Sequence, residues 1–386
     1  MSGFPFDALV VGAGFAGAVT ARELAEAGLR VKILERRDQI GGNMYDYERD
    51  GVLTHLYGPH IFHTGNQAVY DYLSRFTDWV PYEHRVLGRI RGKYVPIPFN
   101  FTSMEALFPA EQAARLREKL SAAYPGESRV SVLDLMNSPD ADIAELGAFV
   151  FENVFVHYTA KQWGMPAEQV DRSVINRVPV VLGYDDRYFR DPIQAMPKQG
   201  FTALFTAMLD HANISVELGC DALSRLSLTR DGRVLLDGEA FHGPVVYTGA
   251  PDELLGRALG ALPYRSLRLD FETVPADSFQ PASVVNYPNE EDFTRITEFK
   301  KLTGQVCPGR TVILREYPAR YQPDSGLEPY YPIDSAESHA LYARYREAFD
   351  RYPSLYFCGR LADYKYYNMD AAVAAALALA KKILAR

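Results

Sequence analysis

An α/β fold is predicted by three observations. Residues 1–43 read as strand, glycine turn, helix, strand and acid: an apolar run at 7–11, the turn Gly12-Ala13-Gly14-Phe15-Ala16-Gly17, an Ala-, Leu- and Glu-rich stretch at 18–27, and a second apolar run at 29–34 that ends at Glu35. Between residues 102 and 155, apolar residues recur at the three- and four-residue spacing of amphipathic helices. Later runs at 267–271, 282–287, 293–298 and 311–315 are spaced like strands of an antiparallel sheet. Together they predict a Rossmann-like domain of discontinuous sequence, with an inserted helical domain and an antiparallel β-sheet domain.

The N-terminal motif sets the chemistry. Gly12 permits a tight turn, Gly14 lets main chain approach a pyrophosphate, and Gly17 lets helix pack on strand. The helix N-terminus that follows the turn offers unpaired N–H groups and the positive end of a dipole, with Phe15 and Ala16 of the turn as candidate cofactor contacts. Glu35 is placed to accept hydrogen bonds from a ribose and disfavours a 2′-phosphate, which leaves FAD or NAD. Five residues after Glu35 come Gly41-Gly42-Asn43, with Arg36 in the interval. That spacing resembles the extended fingerprint of glutathione-reductase-like flavoproteins, the group that includes amine oxidases, and it implies FAD. An ordinary turn after a strand is the plain alternative, and the whole pattern ranks FAD ahead of it.

Further along, 51–56 reads as a strand, then Tyr57-Gly58-Pro59-His60-Ile61-Phe62-His63-Thr64 makes a rigid bend with two histidines three residues apart. A metal would want a third ligand, and none is evident. His60 reads as a capping or core histidine or as one held against a cofactor, and its place after the Gly-Gly motif favours the cofactor. Residues 67–76 read as helix, 85–87 and 94–95 as strands around a turn at Gly92. Helices are expected at 103–108, 109–123, 132–136 and 143–155. Tyr158 and Trp163 follow where the helical section ends; they suit stacking on a base or sugar, against core packing as the bland reading. Residues 169–181, with Arg172 and Arg177, read as a surface loop or as a lid that captures phosphate. A helix to His211, strands at 214–218, 220–228 and 234–236, and a strand at 244–251 return the chain to the nucleotide-binding sheet. The aromatic link Pro329-Tyr330-Tyr331-Pro332, a helix at 340–349, a strand running into Gly359-Arg360, and an Ala-rich helix at 371–384 close the fold. That last helix, starting near Met369 and Asp370, is placed to aim its N-terminus at the pyrimidine end of a flavin.

Composition narrows the rest. The 386 residues are 47% hydrophobic and 23% charged, ordinary for a globular protein of two or three domains. No apolar run approaches the roughly 20 residues that span a bilayer, and Pro5 and Asp7 close to Met1 argue against a leader, so no membrane partner is expected. A net charge of −8 without a basic stripe argues against a nucleic-acid partner. Three scattered cysteines fit a reducing cytoplasm better than disulfides or zinc. The 25 tyrosines cluster locally, as around Tyr184-Asp185-Asp186-Arg187-Tyr188-Phe189, which suggests a polar, aromatic-lined site.

Taken together, the stretches VGAGFAGAV, IGGNMYD, YGPHIFHT, YTAKQWGM, YDDRYF, FTRITEFK, PYYPI and GRLADYKYYNMD resemble the bacterial UDP-galactopyranose mutases from Val10 to about Ala375. The resemblance implies an FAD domain (1–80, 196–262, 350–386), a helical domain (100–168) followed by a mobile loop (169–181), and a six-stranded antiparallel sheet domain (81–99, 182–195, 263–349). It implies a cytoplasmic homodimer that interconverts UDP-galactopyranose and UDP-galactofuranose with no net redox change. The resemblance further implies that FAD is active when reduced, its N5 attacking the anomeric carbon with UDP as leaving group. By matching motifs, Arg177 and Arg295 resemble the arginines on the diphosphate, and Tyr188, Tyr331 and Tyr366 the tyrosines that bond it. Phe155 and Tyr158 resemble the uracil-stacking site, with Trp163 beside it in the lid, and Asn286 and Asn368 lie near sugar or diphosphate. His60, Ile61, Gly359, Arg360 and Met369 resemble residues beside the flavin, and His60 is a candidate redox sensor. Asn368 stands where some relatives carry a carboxylate, and Val154 where they carry an aromatic residue. Two other readings share the fingerprint: an amine-oxidase-type flavoenzyme and a non-catalytic nucleotide-sugar binder. The arginine and tyrosine set, suited to a diphosphate, favours the mutase over the first, and the full flavin fingerprint favours it over the second.

Overall fold

The N-terminal motif folds as its spacing predicts. In the computed structural model, which describes residues 3–163, 179–323 and 325–386, the strand Ala8–Val11 runs through the glycine turn into the helix Phe15–Glu26 and on to the strand Val31–Leu34. These strands belong to a five-stranded, all-parallel sheet. Its order is Ile214–Glu217, Val31–Leu34, Ala8–Val11, Val245–Tyr247 and Leu355–Phe357. Distant stretches thus build one sheet, and its three central strands, ALVV, VKIL and VVY, are largely apolar and rich in β-branched residues, as burial in a parallel sheet requires. The helices Phe15–Glu26, Phe201–Leu209 and Met369–Leu384 pack together on one face. Asp46, buried, caps the second of them by accepting the N–H groups of Phe201 (2.6 Å) and Thr202 (2.8 Å).

The second large sheet has seven strands, not six, and is not wholly antiparallel. Its order is Tyr331–Pro332, Tyr264–Val274, Thr311–Arg320, Arg295–Glu298, Val284–Asn286, Val86–Ile90 and Lys93–Ile97. The hairpin Val86–Ile97 is separate in sequence from the other strands and joins through a parallel pairing, Val86 to Val284. Tyr331–Pro332, expected as a rigid link, adds the two-residue edge strand.

The helical section runs through Phe101–Leu107, Ala110–Ala123, Val132–Met136 and Ala141–Val150, with Asn100, Ser131 and Asp140 as side-chain N-caps for the first, third and fourth. The expected single helix at 143–155 is interrupted. It widens into a π-helical stretch, Phe151–Val156, before resuming as His157–Trp163. Of the expected loop 169–181, residues 179–181 form a strand paired with Arg129–Ser131, and 169–178 lie outside the described residues. Among the described residues no helix is long and apolar enough to cross a membrane.

Candidate active site

Two connected cavities hold most of the expected site residues. The first is a cleft of about 220 Å³ over the glycine turn, lined by Gly12, Gly14, Phe15, Ala16, Glu35, Arg36, Gly42, Asn43, Gly359 and Met369. Close backbone approach explains its glycines. Gly12 has φ +98° and lies against the Thr248 side chain, and a Cβ on Gly42 (φ +56°) would sit 3.0 Å from the Gly14 Cα. Gly17 does not line the cleft. A Cβ there would overlap the Gly12 carbonyl oxygen, so its task is to seat helix on strand. Glu35 is buried at the end of its strand and already accepts the N–H groups of Ala13 (2.7 Å) and Arg37 (2.9 Å); its remaining lone pairs face the cleft. Arg36 and Arg37 both reach Glu328, at 3.1 and 2.7 Å, and so tie the chain before Tyr330 to the rim of the cleft. Sequence reasoning missed the far wall, Cys220–Leu223 and Tyr247–Gly249, whose short and mixed runs carry no motif.

The second cavity, about 180 Å³, shares a wall with the first: Arg360, Asn368 and Met369 line both. It gathers His60, Ile61, Tyr158, Tyr188, Asn286, Arg295, Tyr331 and Tyr366, and no carboxylate is among its described lining residues. Sheet register explains part of this. Asn286 pairs with Arg295, and Arg295 with Glu316, so three adjacent strands present the three side chains in one row. Arg295 Nε bonds Glu316 Oε1 at 2.6 Å, and the Glu316 side chain is 1% exposed. Burial alone would lower the Arg295 pKa, but Glu316 outweighs it and holds the guanidinium protonated. Arg360 donates to the carbonyls of Tyr367 (2.6 Å) and Tyr330 (3.3 Å), and its guanidinium lies 5.1 Å from the Tyr366 ring. Tyr331 and Tyr366 stack at 5.8 Å. Burial raises the hydroxyl pKa of Tyr158, Tyr188 and Tyr331, so each is a donor and a poor base.

His60 is held neutral. Burial first, then His55 and Arg360, pulls its pKa down to about 3. Its Nδ1 lies 2.9 Å from the Gly58 carbonyl, which requires the proton on Nδ1, and its backbone N–H donates to His55 Nδ1 at 3.1 Å.

Three expected residues are not brought together with these. Phe155 is 6% exposed, belongs to the apolar core of the helical section and is not among the residues lining the cavity. Arg177 and the Trp163 side chain lie outside the described residues. Conversely, His63, His84 and Phe189 line the cavity without having been singled out. The histidine pair His60/His63 and the aromatic cluster ending at Phe189 carried a signal; His84 carried none.

A glycine-lined cleft over a helix N-terminus, with an acid at the second strand and a contiguous polar chamber, defines a flavoprotein of Rossmann-like type, and the residues present fit FAD. A family profile described as NAD(P)-binding Rossmann-like domain matches residues 10–76, and one described as UDP-galactopyranose mutase matches residues 153–366. The chain is 36% identical to the UDP-galactopyranose mutase of Mycoplasma pneumoniae, over 98% of this chain and 96% of that protein. It is 32% identical to the dTDP-fucopyranose mutase of Escherichia coli, over 97% of each. A crystal structure of reduced UDP-galactopyranose mutase superposes with a TM-score of 0.74 at 17% identity, covering 98% of this chain and 96% of that one. The chain belongs to the UDP-galactopyranose mutase family and is an isomerase.

Proposed function

We propose that the substrate pair is UDP-galactopyranose and UDP-galactofuranose, and that the enzyme acts with FAD reduced. One observation carries this reading: a chamber with two arginines, four tyrosines and no carboxylate among its described lining residues shares a wall with the dinucleotide cleft. Such a lining suits a diphosphate, which arginine binds bidentately and tyrosine hydroxyls bond by donation. An amine substrate would want the opposite charge.

Reduced FAD supplies a nucleophilic nitrogen for the anomeric carbon. The chain's own residues do the rest. Arg295, fixed by Glu316, neutralises charge on the departing UDP, with Tyr188, Tyr331 and Tyr366 as donors around the diphosphate. Tyr158 covers the uracil, and Asn286 and Asn368 orient sugar or diphosphate. Arg360 and His60 border the flavin; His60, being neutral, adds no charge there. Arg177 and Trp163 are assigned to the lid by resemblance.

Parallel incubation of the reduced protein with UDP-galactofuranose and with dTDP-fucofuranose, followed by chromatography, tests the substrate. Preferred conversion of the UDP sugar supports the reading. Preferred conversion of the dTDP sugar overturns it.

A further inference from the structure

We propose that His63, oriented by Asp191, exchanges the sugar-hydroxyl protons during ring interconversion; this deepens the nucleotide-sugar reading and rests on it. Converting pyranose to furanose breaks C1–O5 and forms C1–O4. O5 must gain a proton and O4 must lose one. A single group that gives a proton to O5 as the pyranose ring opens, and takes one back from the O4 hydroxyl as the furanose ring closes, balances the cycle.

The chamber offers three imidazoles, His60, His63 and His84. Two are unsuited. His60 has its Nδ1 committed to the Gly58 carbonyl and sits beside Arg360, and burial holds its pKa down to about 3. His84 is 4% exposed, and burial, with Arg295 and His63 nearby, also pulls it down to about 3. Protonating either places an uncompensated cation in a buried site. The tyrosine hydroxyls of Tyr158, Tyr188 and Tyr331 are raised by burial and are poor bases.

His63 differs in geometry. Its Nδ1 lies 2.9 Å from Asp191 Oδ2. A carboxylate there fixes the proton on Nδ1, leaves the Nε2 lone pair as the acceptor, and compensates the imidazolium formed when Nε2 takes a proton. Nε2 makes no hydrogen bond among the described residues. The ring stacks on Phe189 at 3.7 Å and 13°, which restrains its rotation. The pairing is built into the fold: Phe62–Thr64 is hydrogen-bonded to Ile193–Pro197, with Thr64 opposite Ile193, so Asp191 arrives beside His63. His84 lies close enough to interact with His63, Asp370 bonds the neighbouring Thr64, and Arg295, His60 and Arg360 line the same chamber. Asp191 is a positioning residue, since it acts through His63.

The test uses the FAD-loaded, reduced protein. His63→Ala should lose roughly 10²–10⁴ in kcat, the worth of general acid–base catalysis, with UDP affinity unchanged. Added imidazole should restore turnover, and a series of substituted imidazoles should restore it in proportion to their basicity. Asp191→Asn should lose about 10–100-fold in kcat at unchanged KM. His63→Gln, closer in volume, should match the alanine loss without destabilising the fold. Turnover near wild type in His63→Gln, or rescue indifferent to basicity, would overturn the assignment while the wild-type protein still turns over. Absent wild-type turnover would overturn the functional reading itself, and this step with it.

Discussion

Glu316 and Arg295 face one another on adjacent antiparallel strands, 2.6 Å apart, with the carboxylate buried beneath the chamber and the arginine forming its wall. The carboxylate takes the Nε edge of the guanidinium and leaves the Nη edge for a ligand. Arg295→Ala should therefore nearly abolish turnover while the protein keeps its flavin. It should also cost about 3–5 kcal/mol of stability, because Glu316 is left buried without its partner. Paired replacement, Arg295→Met with Glu316→Leu, should recover most of that stability and none of the activity. Urea midpoints and chromatographic turnover read the two effects separately; near-normal turnover in Arg295→Ala would remove the arginine from the diphosphate site.

Helix seating at the glycine turn gives a second prediction. Gly17→Ala forces a Cβ into the Gly12 carbonyl oxygen, and backbone cannot swing aside as a side chain can. The variant should purify without flavin or fail to fold. Gly28→Ala is the contrast: it also breaks a left-handed glycine (φ +96°), but into open space. It should cost about 1 kcal/mol and keep full flavin occupancy. Equal flavin loss in both would show that the effect is backbone strain rather than the helix–strand contact.

Two buried histidines make stability depend on pH. Burial lowers His55 to about 4, against a partial opposing effect of Asp46, and His84 to about 3. Their folded values lie below the unfolded value of 6.5, so the unfolded chain binds the extra protons. Their effect on stability is fully favourable above pH 6.5 and is lost as pH falls from there towards 4 and 3. Each removes roughly 1.4 kcal/mol per pH unit over that window. His84→Asn should flatten the urea midpoint's slope against pH; an unaltered slope would mean that His84 is solvated.

Tyr366 is 65% exposed yet stacked on Tyr331 and close to Arg360, an exposure that makes sense for a hydroxyl awaiting a ligand. Tyr366→Phe keeps the stack and removes one donor to a charged group. UDP affinity should fall about tenfold, measured by titration calorimetry. Unchanged affinity would place the hydroxyl away from the diphosphate.

Much of this was readable from local rules. Strand, glycine turn, helix and acid are consecutive, so the cleft from Gly12 to Asn43 follows from steric and dipole arguments within one stretch. The row Asn286, Arg295, Glu316 was half readable: the FTRI motif flagged Arg295, but Glu316 becomes its partner only through strand register. His84 reaches the chamber, and Asp191 reaches His63 behind it, through pairings between distant segments, which no local pattern encodes. The same holds for residues 179–181, whose partner strand Arg129–Ser131 lies some fifty residues away and is too short and polar to announce itself. Phe155 sits in the apolar core of the helical section and not on the chamber wall, so its assignment to uracil stacking rests on the resemblance alone.

The most direct test of the account is conversion of UDP-galactofuranose to UDP-galactopyranose, followed by chromatography with the flavin reduced by dithionite and, in parallel, oxidised. Turnover confined to the reduced sample is the result that the proposed reading predicts. A folded, flavin-loaded protein that converts nothing in either state, or converts equally in both, would contradict it.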